Sequence, residues 1–190
     1  GSILTGDILA GSIDLLAGAN ITTDDLSTEI IGQFADGVTV FLFPGASITL
    51  EAGGDIGTGD INWIDGVYAE AGGSISTGTI DAVDFVEAHG IGGVTTGDIN
   101  AGDYILLTAD NGAISVASAT TPGSFQASAG DSLTVGAINA SDINASAGGL
   151  ATVNGAWSAG NVQLVADDID IAPNGSVRAG DISLVSVNDV

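Results

Sequence analysis

Aspartates are the residues of this sequence whose type and spacing best suit chemistry. An aspartate follows a glycine at Asp7, Asp60, Asp98 and Asp181, and Asp25 holds the matching place. A column of carboxylates along one edge would suggest calcium, which takes roughly six to eight oxygen ligands. Other copies of the pattern carry Thr, Ser, Ala or Asn instead, which separates like charges. We therefore expect structural turn aspartates, no specific metal site, and at most weak or non-specific calcium binding.

Two other residues could take part in acid–base or charge chemistry. His89 is the single histidine, and the spacing predicts that it lies near a corner of the chain, exposed to solvent. An acid–base role needs an oriented partner, and no nucleophile motif surrounds it. Arg178 is the only Lys or Arg residue in the sequence. A lyase acting on acidic sugars needs basic residues to neutralise its substrate, so the sequence argues against this class of enzyme. We expect no catalytic residue, no cofactor-binding residue and no enzymatic activity.

Composition limits the possible partners. The formal net charge of −23 disfavours nucleic acid and anionic lipid surfaces. Hydrophobic residues make up 45% of the chain, so it is not a disordered acidic tail. No apolar run approaches the roughly 18 residues of a membrane helix, so we expect no membrane insertion. The 30 glycines, with Asp, Asn, Ser and Thr as the main polar residues, favour strands joined by many turns.

A short repeat would position these residues. An apolar residue is followed by any residue, a small residue, glycine, a turn residue and a second apolar residue, as in Ile3–Ile8 and Ile56–Ile61. A third apolar site follows about ten residues after the first, and the unit recurs about every 19 residues. The first apolar site is assigned to Ile3, Ile21, Val38, Ile56, Ile75, Val94, Ile114, Leu133, Trp157 and Val177. The third site is assigned to Ile13, Ile31, Ile48, Val67, Phe85, Tyr104, Phe125, Ile143, Ile169 and Val187.

Three inward apolar sites per unit predict three short strands per turn of a solenoid. One unit cannot bury its own apolar face, but a stacked neighbour can cover it. We therefore predict an all-β parallel β-helix of about ten coils, with residues 1–190 as a single domain. The corner glycines are expected to adopt positive φ, which glycine does without steric strain. They are Gly6, Gly59, Gly78, Gly97, Gly136, Gly160 and Gly180.

The pattern weakens at two places. In residues 24–37, Leu26, Ile30 and Phe34 lie four apart, so this segment suits a short helix as well as a coil. The unit that begins at Leu133 is longer than the others, and we expect its extra residues to form a loop near Gly148–Asn154.

The phrases GDI, AGGSI and GDISL, set on this period, resemble the repeat regions of filamentous haemagglutinin-like proteins. These are large exoproteins of two-partner secretion and related bacterial adhesins. The resemblance implies a right-handed β-helix that is secreted to the cell surface and forms the structural shaft of an adhesin. It carries over no functional residue.

Both ends of the sequence follow the repeat and lack the polar caps of most solenoids. This leads us to expect further β-helix coils, or copies of the chain stacked end to end, as partners. The first reading is a segment of a longer adhesin shaft, and the second is a subunit of a self-assembling extracellular filament. A third is a carbohydrate-binding β-helix for host or surface glycans, resting on exposed aromatics such as Trp63 and Tyr68.

Overall fold

The computed structural model describes residues 1–28 and 47–187, and within them every regular element is a β-strand. The strands of the first half are β1 (Ile3–Leu4), β2 (Ile8–Leu9), β3 (Ile13–Ala17), β4 (Ile21–Thr22), β5 (Leu26–Ser27), β6 (Ser47–Ala52), β7 (Ile56–Gly57), β8 (Ile61–Ala71), β9 (Ser74–Ser76), β10 (Ile80–Gly90) and β11 (Gly93–Ala101). Those of the second half are β12 (Tyr104–Ala109), β13 (Ile114–Thr120), β14 (Ser124–Ala129), β15 (Leu133–Asn139), β16 (Asp142–Ala147), β17 (Leu150–Val153), β18 (Ala156–Ser158), β19 (Asn161–Ala166), β20 (Asp168–Ile171), β21 (Ser176–Arg178) and β22 (Asp181–Ser186).

Every strand pairs in parallel with the equivalent strand one coil away, so the chain winds as a β-helix with three sides. Successive coils place like residues above like residues, because the register is set by whole turns of the chain. The inward column of the first side is Ile3, Ile21, Ile56, Ile75, Val94, Ile114, Leu133, Ala151 and Ile169. Numbered from these residues, the described chain forms nine coils.

The other two sides carry columns of the same kind. The second side stacks Ile8, Leu26, Ile61, Ile80, Ile99, Ala119, Ile138, Trp157 and Val177. The third stacks Ile13, Ile48, Val67, Val86, Ile105, Phe125, Ile143, Val162 and Ile182. In coils 2 to 8 each member of the three columns is at most 2% exposed. The predicted parallel β-helix with about 19 residues per coil is therefore confirmed.

The coil count differs from the sequence estimate at one point. Ile21 pairs directly with Ile56, and Leu26 pairs directly with Ile61. The prediction of an intervening coil that starts at Val38 is therefore wrong, and Asp25 and Asp60 belong to neighbouring coils. Leu26 lies in β5 and is fully buried, which places the start of segment 24–37 in the coil. The remainder of that segment lies outside the described residues.

The phase of the repeat also slips in the second half. The predicted loop near Gly148–Asn154 is instead β17, the first-side strand of coil 8, with Ala151 above Leu133 in the column. Trp157 and Val177 consequently belong to the second side, not the first. The extra residues of this unit form a whole strand. Its inward first-side residue is Ala151, and alanine is too weakly apolar to indicate an inward position from the sequence.

The third-side column is displaced by one residue in coils 4 and 5. Phe85 and Tyr104 were predicted to face inward, but Val86 and Ile105 occupy the column and are fully buried. The pairing of β10 with β8 shifts register between Ile80 and Phe85. Such an irregularity reverses which residues face the core, because side chains alternate along a strand.

Close approach between coils requires glycine at six of the seven corner positions, all except Gly6. The expectation of positive φ is wrong, because none of these seven glycines lies in the left-handed region. A Cβ added at Gly97 would lie 3.0 Å from the carbonyl oxygen of Gly78 in the coil beneath. Side chains are excluded here because the backbones of successive coils stack directly on each other.

Candidate functional surface

The third side is the widest face of the β-helix and carries most of the large polar side chains. Its strands β12, β14, β16 and β19 each bury three residues, which alternate with outward ones. The outward positions form two columns. One contains Thr49, Tyr68, Glu87 and Leu106, and the other contains Leu16, Glu51, Glu70, His89 and Thr108. This surface is where the structure brings titratable groups together.

Tyr68 and Glu70 form a pair on β8. The Tyr68 hydroxyl donates a hydrogen bond of 2.6 Å to Glu70 Oε2. That bond is the largest cause that raises the pKa of Tyr68 to about 12, followed by desolvation and by the charges of nearby glutamates. The predicted sugar platform combined Tyr68 with Trp63, whose side chain lies outside the described part of the structure. The Tyr68 hydroxyl is thus held by a carboxylate, and the glycan hypothesis stays a prediction.

Phe85 and Tyr104 form an aromatic stack on neighbouring coils. Their ring centroids are 5.5 Å apart and their planes differ by 10°. The Tyr104 hydroxyl donates a hydrogen bond to Glu87 Oε1, which raises the pKa of Tyr104 to about 12. A Cβ at Gly66 in the coil beneath would collide with the Phe85 ring. The ring faces therefore cover each other and the backbone, and this leaves little aromatic face for a ligand.

His89 lies in strand β10, next to its last residue Gly90, so it is near a corner as predicted but within a strand. Its Nε2 is 3.1 Å from Asp110 Oδ1, and the two side chains are 41% and 47% exposed. Nε2 has no aligned hydrogen-bond partner among the described residues. The pair is an electrostatic contact between two coils when the imidazole is protonated. No contact between the imidazole and a hydroxyl group is seen in the described residues.

The corner aspartates bond to the backbone of the next coil. Asp7 Oδ1 accepts the N–H of Asp25 at 3.3 Å, Asp25 Oδ1 accepts that of Asp60 at 2.8 Å, and Asp60 Oδ1 accepts that of Thr79 at 2.7 Å. Asp7, Asp25 and Asp60 thus stack on three successive coils. The predicted coil at Val38 would have separated Asp25 from Asp60, but Leu26 pairs directly with Ile61, so the two aspartates lie on adjacent coils.

A second ladder of hydrogen bonds at a corner was not predicted from the sequence. Asn20 Oδ1 accepts the N–H of Asp55 at 3.1 Å, and Asp55 Oδ1 accepts the N–H of Ser74 at 2.8 Å. The signal was available, since each of these polar residues comes directly before a first-side apolar residue. Carboxylate and amide oxygens do the same work, so the role is to satisfy backbone donors at the corners.

The remaining candidates lie apart from these ladders. Asp181 stacks on Asn161 and Asp142 at the start of the third side, and not on Asp7 or Asp60. Asn161 Nδ2 donates to Asp142 Oδ1 at 2.6 Å. Arg178 is exposed at the end of β21. Across residues 1–28 and 47–187, no three His, Cys, Asp or Glu side chains are grouped so that they could hold a metal ion.

Comparison with known proteins identifies no relative. No protein-family model, no curated protein and no solved structure matches this chain. In the described residues there is also no helix with the length and hydrophobicity needed to cross a membrane.

Proposed function

We propose that this chain is a length of the structural shaft of a secreted bacterial surface adhesin and has no catalytic role. The observation that carries the proposal is the unbroken inner stripe that runs through the coils, as in Ile56, Ile75 and Val94. Each coil is held by the same backbone ladder and the same packing, so adding coils adds length without changing the cross-section. A spacer needs this property, and an enzyme does not.

The outward residues of the first side support the same proposal. They include Ser76, Thr95, Ser115 and Thr134, which are small hydroxyl side chains on four successive coils. Such a face is regular and polar. Together with a net charge of −23, it keeps a chain with 45% hydrophobic residues in solution.

Removal of whole coils tests the spacer role. Deletion of residues 75–113 joins Ser74 to Ile114 and removes two coils in register, because Ile75, Val94 and Ile114 share one column. We expect a folded rod that is shorter by about 10 Å, given roughly 4.8 Å per coil. Duplication of the same segment should lengthen it by the same amount. Small-angle X-ray scattering gives the maximum dimension, and circular dichroism reports the strand content.

A deletion out of register is the matched control. Removal of residues 75–103 joins Ser74 to Tyr104 and puts a third-side strand where a first-side strand belongs. We expect this variant to lose most of its thermal stability. Equal behaviour of the two deletions, or collapse of the in-register variant, would contradict the spacer proposal. Antibody labelling of intact cells of the source organism tests the location, and signal confined to the cell interior would exclude the surface role.

A self-assembling filament is the second candidate, favoured by the uncovered core of the last described coil. Ile182 and Leu184 are 50% and 40% exposed, whereas Val162 and Leu164 directly beneath them are 2% and 0% exposed. Burial of these positions thus depends on a coil above, which another copy could supply as well as a continuing chain. Light scattering over a concentration series distinguishes the two, since only end-to-end stacking gives a mass that grows with concentration.

A further inference from the structure

A groove runs along the rod at the corner where the third side leads into the next coil. It has a volume of about 350 Å³ and extends from coil 1 to coil 4. Its lining includes Gly53 and Gly72, where a Cβ would collide with the backbone of the coil beneath. The groove is therefore a permanent feature of the fold, because side chains cannot fill it.

Two aliphatic side chains lie at the ends of this groove. Leu16 in coil 1 is 73% exposed, and Ile91 in coil 4 is 43% exposed. The residues that stack on Leu16 in the next coils are Glu51 and then Glu70, so the leucine lies at the end of a polar column. Three coil steps separate the two ends, which corresponds to about 14 Å. Five residues of an extended peptide cover nearly the same distance.

The wall between these ends is acidic. The side chains of Glu51 and Glu70 both line the groove and are exposed, and His89 follows them in the column. Glu70 accepts the hydrogen bond from Tyr68, which holds its carboxylate in place. Two carboxylates between two aliphatic groups complement an extended segment with basic side chains between apolar ones.

We propose that this groove docks an extended, basic segment of a partner protein, with apolar side chains about four residues apart contacting Leu16 and Ile91. The partner is another protein because this chain has a single residue among Lys and Arg. The docking site is independent of the shaft role, which concerns the stacking of coils.

The probe is the blocked peptide Leu-Ser-Lys-Ser-Leu, in which the lysine and both leucines lie on one face of the extended chain, with fluorescence anisotropy of a labelled form as the measurement. We expect saturable binding, and a much weaker interaction for Ser-Ser-Lys-Ser-Ser, which keeps the charge and lacks the apolar ends. The double variant Glu51→Gln with Glu70→Gln should weaken binding by about 3- to 10-fold, the value of two exposed ion pairs. Leu16→Ser should weaken it by about 5-fold, from the loss of partly buried apolar area.

Matched variants separate the groove from the general attraction of an acidic rod. Asp168→Asn with Asp170→Asn removes the same charge from exposed positions in β20, and Leu4→Ser removes an exposed leucine from another side of coil 1. Both should bind the probe within about 2-fold of the parent chain. Equal weakening by the two double variants, equal binding of the two peptides, or absence of saturable binding would overturn the proposal. Circular dichroism verifies that each variant is folded.

Discussion

Substitution of two glycines tests how the coils are stacked. A methyl group at Gly112 would overlap the carbonyl oxygen of Gly92 in the coil beneath, whereas a methyl group at Gly57 would meet no atom within 4 Å. Backbone cannot move aside like the end of a flexible side chain, so Gly112→Ala should destabilise by about 1–3 kcal/mol or more. Gly57→Ala should stabilise by about 0.4–1 kcal/mol, because alanine restricts the unfolded chain.

The two variants should therefore differ by about 1.4–4 kcal/mol in the free energy of unfolding. For a chain of this length that separates the melting temperatures by roughly 3–16 °C. Thermal unfolding followed by circular dichroism measures the difference. Gly97→Ala gives an intermediate case if Gly112→Ala fails to fold, since its methyl group would lie 3.0 Å from the Gly78 oxygen. Equal melting temperatures for Gly112→Ala and Gly57→Ala would refute the close-approach explanation.

Three further changes probe packing, the corner ladder and the tyrosines. Trp157→Ala should lower the free energy of unfolding by about 3–5 kcal/mol in denaturant titrations. The side chain is 1% exposed, and its Nε1 donates a hydrogen bond to the Gly136 carbonyl. A loss under about 1 kcal/mol would contradict this packing. Asp25→Ala should lower the free energy of unfolding by about 0.5–1.5 kcal/mol, because one cross-coil hydrogen bond is lost. Asp25→Asn keeps an acceptor oxygen and should be near neutral in the same titrations. Equal losses for the two variants would argue against the corner ladder. The pKa of Tyr104 rises from 10.0 to about 12 on folding, so its stabilising contribution is complete below pH 10 and is lost as the pH approaches 12. Tyr104→Phe should accordingly show a smaller fall in melting temperature between these pH values, and an identical fall would reject the assigned hydrogen bond to Glu87.

The apolar spacing was enough to predict the solenoid. Three inward sites in about 19 residues can be buried only if successive units cover each other, and glycine-rich corners disfavour helices between them. The sequence also predicted that Asp7, Asp25 and Asp60 lie at corners. The structure confirms this, because a carboxylate before a short strand is well placed to accept a backbone N–H of the next coil.

The neighbour of each coil could not be predicted in the same way. Ile21, Val38 and Ile56 are spaced as three consecutive units, yet Ile21 pairs with Ile56. A periodic pattern is satisfied equally by any apolar residue at the correct interval, so it does not show which units pair with each other. The same ambiguity led to the wrong prediction that Trp157 belongs to the first side. The first-side residue of that coil is Ala151, whose small side chain gives only a weak apolar signal in the sequence.

The sequence by itself determined that the chain stacks in coils, because burying one apolar stripe requires another above it. The tertiary structure alone decided which side chains share a face. Glu51, Glu70 and His89 are 19 residues apart and become neighbours only when three coils stack in register. The groove beside them likewise exists only between coils, because no single coil contains both Leu16 and Ile91. Cross-coil distance depends on pairing register, and register is a property of the assembled stack.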